Sequence, residues 1–152
     1  MLTTGCSLME KNPPPQNLEK VEEETSKTSS KILKIIDLNG KVTKPGPLPA
    51  PCSGYSKKAY RISHPWSVYG VPVPQMKEAM DRLKRDLPKN GWKVTKDGPD
   101  ASPSKSREII ANSEGNKFSV TIRLLDEPAG STNPSLIEVT VESACFTTKT
   151  PE

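Results

Sequence analysis

The groups in this sequence best suited to covalent chemistry are three thiols, at Cys6, Cys52 and Cys145. Thiolates attack carbon and sulfur, so the options are lipidation, disulfide formation, metal ligation or nucleophilic catalysis. No CxxC pair is present, which removes zinc ribbons and thioredoxin-type redox motifs. The single histidine, His64, excludes sites built on two or three imidazoles, and any Ser-His-acid or Cys-His arrangement would have to use it. It sits on the apolar face of an alternating stretch, just before Pro65, where a packed or edge histidine is the plainer reading. Carboxylate pairs such as Asp97 with Asp100, or Asp126 with Glu127, fall in polar, turn-like stretches. Those stretches lack the apolar surroundings that would raise one pKa for general acid–base work. Phosphate-cradling G-x-G-x-x-G and G-x-x-x-x-G-K-[ST] loops are missing. The residues therefore nominate no catalytic group, no metal site and no cofactor, and lean away from an enzyme.

The surroundings of Cys6 give it a different task. Leu2-Thr3-Thr4-Gly5-Cys6-Ser7 reads as the end of a lipoprotein signal peptide, in which the cysteine becomes the lipid-bearing first residue. Only Met1 to Gly5 precede it, short of the basic region and the apolar stretch of about 7–15 residues that export requires. The reading therefore expects a start further upstream, or a trimmed signal. If Cys6 is lipidated, Cys52 and Cys145 remain as a pair, free to form a disulfide in an oxidising compartment. That bridge would join positions 93 residues apart. The alternative is three free thiols in a reduced cytosol, with Met1 as the true start. The two readings stand or fall with the compartment.

Composition separates the chain into a polar front and an ordinary domain. The 16 prolines are about twice the usual share of roughly 5%, and they cluster at Pro13–Pro15 and at Pro45, Pro47, Pro49 and Pro51. Apolar alternation begins only after residue 57. The net charge of +4 is evenly spread, with 7 basic against 6 acidic residues in the first fifty positions, so no basic stripe marks a nucleic-acid partner. No apolar run approaches the roughly 18 residues of a membrane-crossing helix.

The elements needed to position these groups follow from periodicity. Residues 1–16 read as a truncated lipobox and polar tether, 17–53 as an N-terminal helix and proline-rich crossing, 54–147 as the domain, and 148–152 as a tail. Asn17 caps a helix with acidic residues in its first turns and Lys31 and Lys34 near its end. Its stripe is Leu18, Val21, Thr25, Thr28, Ile32 and Ile35, with Asn39-Gly40 as the stop. Lys44 to Ser53 reads as the crossing that delivers Cys52. Lys57 to Gly70 alternates as a strand with Tyr60, Ile62, His64, Trp66 and Val68 on one face, and Pro65 predicts an edge position or a bulge. A second helix carries Met76, Ala79, Met80, Leu83 and Leu87, with Glu78–Arg82 and Asp81–Arg85 as outward pairs. Pro88 ends it before an Asn90-Gly91 turn. Four strands follow: Trp92–Lys96, Arg107–Asn112, Lys117–Leu125 and Leu136–Cys145. Cys145 has the parity of the buried residues there, so its partner is expected from the helix-covered side. The order predicts an α+β, two-layer sandwich: a mainly antiparallel sheet of about five strands with two helices on one face.

Aromatic residues are few. Trp66 and Tyr69 near one strand end, with Trp92 just after the second helix, could line a cleft for a sugar or peptide. The competing reading is that Trp66 and Trp92 fill the core between helix and sheet. Taken together, Thr4-Gly5-Cys6, Trp66-Ser67-Val68-Tyr69-Gly70, the helix leading to Asn90-Gly91-Trp92 and the closing Val141-Glu142-Ser143-Ala144-Cys145 resemble small secreted lipoproteins of high-GC Gram-positive (actinobacterial) bacteria. The resemblance spans roughly residues 52–146 plus the extreme N-terminus and implies location and fold rather than activity.

The expectation is thus a lipid-anchored extracytoplasmic binding or interaction module. It would attach to the membrane through Cys6 and meet a protein, peptide or cell-wall component, not nucleic acid. An enzyme acting on a wall polymer and a cytosolic protein read from Met1 are the alternatives.

Overall fold

The computed structural model describes residues 11–43 and 45–148. Cys6 and the expected lipobox lie outside them. Asn17 starts the first helix, α1 (Leu18–Ile36), by accepting a hydrogen bond from the Lys20 N–H at 2.9 Å. This side-chain cap satisfies one of the donors every helix N-terminus leaves open. The helix stops at Asp37, in the left-handed region at φ 51°, rather than at the expected Asn39-Gly40. Gly40 serves a different purpose: a Cβ there would lie 2.5 Å from the Tyr69 carbonyl oxygen. The buried stripe also differs from the predicted one, running Val21, Thr25, Ser29, Ile32 and Ile36. Thr28 and Ile35 give way to Ser29 and Ile36 because the 3.6-residue repeat favours the one-position shift, and it turns Ser29 toward the sheet.

Nine strands and a second helix complete the described residues. They are β1 (Pro15–Gln16), β2 (Lys41–Thr43), β3 (Leu48–Cys52), β4 (Ala59–Tyr69), β5 (Trp92–Pro99), β6 (Arg107–Ser113), β7 (Phe118–Leu125), β8 (Leu136–Ser143) and β9 (Thr147–Thr148), with α2 (Val73–Asp86) after β4. The main sheet has seven strands rather than about five, in the order β2-β4-β8-β7-β6-β5, with β3 beside β2 along β4. All its pairings are antiparallel. The two extra strands come from the predicted crossing and the residues just before it. The short β1 pairs in parallel with β9, so residues 15–16 of the expected tether lie against the domain. Asn12 holds the same segment to the Ser56–Lys57 turn.

Both helices cover one face of this sheet. Met76, Ala79, Met80, Leu83 and Leu87 are all fully buried, together with Ile32, Ile36, Val68, Ile109, Val120, Ile122, Ile137, Val139 and Val141. This α+β architecture matches the alternation of apolar and polar residues along β7 and β8. The outward pairs predicted on α2 are replaced by longer reaches. Arg82 donates to the Ile36 carbonyl at 2.5 Å, capping the open C-terminus of α1, and Asp81 accepts from Arg107 at 2.8 Å. Arg85 turns to its neighbour Asp86.

Prolines shape the edge of the sheet in a regular way. Tyr60 and Ile62 of β4 send their N–H groups toward the β8 side, to the Phe146 carbonyl and Ser143 Oγ, whereas Ser67 sends its N–H to Thr43 of β2. Odd-numbered β4 residues therefore face the β2–β3 edge. Pro65 is neither at an edge nor in a bulge, as its ring predicted. It sits in an inner strand, and its missing N–H falls in the gap between β3, which pairs residues 59–63, and β2, which pairs 67–69. On β3, Pro49 and Pro51 stand opposite Ile62 and Tyr60, so their nitrogens point away from the sheet. The outer edge thus loses the donors that would recruit another strand.

Cys52 and Cys145 form the disulfide, with S–S 2.08 Å and Cα atoms 6.3 Å apart. Cys145 meets its partner from the opposite side to the one its parity predicted. Glu142 pairs Ser63, yet Phe146 pairs Tyr60, so the chain gains one residue past the end of β8. Such a bulge inverts the alternation. Phe146 turns into a small core with Val21 and Ile62, and Cys145 turns to the open face, where Cys52 lies beside Ala59. Ser143 stabilises the bulge, its Oγ accepting from the Ile62 N–H and donating to the Ala144 carbonyl.

Candidate functional site

A cavity lies between α1 and residues 45–47: these residues form one wall, α1 forms the opposite wall, and β4 supplies the floor through His64 and Trp66. Its volume is about 310 Å³, at the lower end of the range for small-molecule sites. The walls are mainly apolar, from Leu33, Val42, Pro45, Pro47 and Trp66, with serine hydroxyls on the α1 side.

His64 bridges the two walls. Ser29 Oγ lies 2.7 Å from His64 Nδ1, and His64 Nε2 lies 2.8 Å from the Pro45 carbonyl oxygen. A carbonyl can only accept, so Nε2 carries the proton in the neutral ring, Nδ1 is the acceptor, and Ser29 is the donor. Thr25 and Thr28 on the same helix use their hydroxyls differently, back-bonding to the Val21 and Glu24 carbonyls. Ser29 faces the imidazole instead and is only 4% exposed. A hydroxyl donating to a neutral imidazole is two-thirds of a proton relay. Here the third position is a backbone carbonyl, which orients the ring without the charge that stabilises an imidazolium. The arrangement is well made for pinning residues 45–47 to the helix.

Trp66 is 5% exposed, and its indole N–H is buried with no protein acceptor. The other aromatics of the predicted cleft do not join it. Trp92 is 9% exposed and lies with Arg82, Lys31 and Asp86 around a separate groove of about 580 Å³ between the helix ends. Tyr69 pairs with Leu136 and Lys41, on the face away from the helices. Trp66 and Trp92 both fill core positions, and only Trp66 reaches the candidate site.

Ser29 and Pro45 are site residues that the sequence reading did not single out. Ser29 carried a legible signal, four residues beyond Thr25 and three before Ile32. Pro45 acts through its carbonyl, which leaves no mark in a residue type.

Charges gather on the open face and at the far edge instead. Arg107 holds Asp97 through two bonds of 2.9 and 3.0 Å and reaches Asp81 from the same guanidinium. The hydrogen bond from Arg107 lowers the Asp97 pKa against the opposing effect of burial, with Lys84 helping. The Asp100 carboxyl is lowered first by the Ser102 hydroxyl, then by the Ser102 and Ser106 N–H groups. Both acids are thus held ionised, the opposite of a general acid. Among the described residues no group of three or more His, Cys, Asp and Glu could hold a metal ion, and no helix is long and apolar enough to cross a membrane. No family model, no curated protein and no solved structure matches this chain.

Proposed function

We propose that this chain is an extracytoplasmic binding module, held at a membrane by a lipid on Cys6. The observation that carries the reading is the Cys52–Cys145 bridge. Bridges of this kind persist in oxidising compartments, and this one leaves Cys6 as the odd thiol in a lipobox-like context. The resemblance to small secreted lipoproteins of high-GC Gram-positive bacteria points the same way. The cavity beside α1 supports binding as the task. It has a mainly apolar lining, while Asp97 and Asp100 are held in their ionised form. Asn12 is already fixed to the domain, so the reach from Cys6 is short, about 20 Å for six extended residues. Substituting Cys6→Ser in the native host tests the anchor. The account expects the protein to move from the membrane to the soluble fraction; an unchanged distribution contradicts it.

An enzyme is the second reading, and the Ser29–His64 contact is what favours it. A fluorophosphonate that labels Ser29 in the native protein, and fails on Ser29→Ala, would establish it.

A further inference from the structure

We infer that the end of the domain where the tether joins it is a docking surface for an anionic lipid membrane. Its nearness to a membrane rests on the anchored reading above, and the new element is the face that the domain turns toward the lipid. Asn12 fixes the root of the tether, accepting the Lys57 N–H at 3.2 Å and donating to Ser56 Oγ at 2.9 Å. Three stretches of chain meet there. Residues 12–15 share a groove with Lys57, Lys58 and Tyr60, and β1 runs beside β9. Together, residues 11–16, 53–58 and 144–148 contribute Lys11, Lys57 and Lys58 and no Asp or Glu. All three lysines are exposed, and none of their ammonium groups has an ion-pair or hydrogen-bond partner among the described residues. The α1 side of this end is mixed, with Lys20 and Lys117 beside Glu24. Even charge along the sequence hides the patch, because folding is what brings Lys11 to Lys57 and Lys58. Each lysine held near an anionic leaflet favours it by about fivefold, and the attraction fades over about 10 Å in ordinary salt. A tether of at most about 20 Å from Cys6 to Asn12 lets these lysines reach the headgroups.

The test uses the full chain with Cys6→Ser, purified without lipid, so that docking is read apart from the anchor. At low ionic strength it should sediment with vesicles of phosphatidylcholine containing about one third phosphatidylglycerol, and far less with phosphatidylcholine alone. Lys57→Ala with Lys58→Ala should lower this partition about 25-fold, from about fivefold per lysine. Lys31→Ala with Lys34→Ala removes the same charge near the other end of α1, whose 19 residues span about 28 Å, and should leave binding nearly unchanged. Salt of about 0.5 M should release the parent chain. Cooperative denaturation of each variant checks that the exposed substitutions leave the fold intact. Equal recovery on both kinds of vesicle, undiminished binding without Lys57 and Lys58, or an equal loss without Lys31 and Lys34 would each overturn the proposal. A native chain with lipid on Cys6, whose Cys6→Ser form shows no preference for anionic vesicles, keeps the anchor and loses the docking face. A native chain without that lipid, whose Cys6→Ser form prefers anionic vesicles, does the reverse.

Discussion

Ser29 Oγ and His64 Nδ1 are 2.7 Å apart, and this contact joins α1 to the middle of β4. Through the other ring nitrogen it extends to the Pro45 carbonyl, so one imidazole spans three segments of chain. Removing the hydroxyl with Ser29→Ala leaves Nδ1 without its donor in a half-buried place. The expected cost is about 1–2 kcal/mol, read from chemical denaturation. Faster hydrogen exchange should appear at residues 45–47 but not in β7, and a uniform change across both would contradict a local clamp.

The disulfide spans 93 residues, and chain-entropy reasoning values such a loop at about 4–5 kcal/mol. The double variant Cys52→Ser, Cys145→Ser should lose stability of that order. Because Cys52 ends an edge strand and Cys145 sits in a bulge, β3 and β9 should exchange first. An unchanged denaturation midpoint would show that the bridge does not constrain the unfolded chain.

Acid should weaken the fold through Asp97 and Asp100. Their folded pKa values lie below the ordinary value near ~4, so their contribution is fully present above that range and is lost as pH falls through the folded values. Arg107→Ala removes the main cause at Asp97. It should cost about 1–2 kcal/mol at neutral pH, less than a fully buried pair because Asp97 is 14% exposed and Lys84 remains 3.3 Å away. The variant should also lose less stability than the native chain between neutral pH and pH 3. An identical pH dependence would remove Asp97 from the explanation.

Pro49 and Pro51 should keep copies of this chain apart. Replacing both with Thr returns outward N–H donors to β3 without touching its bonds to β4. Sedimentation at matched concentration should show more self-association than the native chain, and an unchanged distribution would mean that the edge is protected by something else.

The sequence made the main architecture readable because its signals were local. Alternation along Phe118–Leu124 and Ile137–Val141, and the Met76–Leu87 stripe, each set one buried face by period alone. What escaped was non-local. β3 was hidden because Pro49 and Pro51 argue against a strand until it is known to be an edge. Pro65 looked like an edge residue, and only the break between two partners explains it in an inner strand. The side from which Cys52 reaches Cys145 depended on one extra residue in the pairing of β8 with β4, which no single-strand pattern carries. The same limit applies to the site. Trp66 was readable as an aromatic on the inner face, but its unpaired N–H and the carbonyl behind His64 exist only once three segments meet.

Intact-mass and peptide mass spectrometry of the protein isolated from native membranes tests the central claim most directly. The account predicts a mature chain beginning at Cys6, with a lipid on its sulfur and Cys52 joined to Cys145. A chain that begins at Met1 with three free thiols would contradict it.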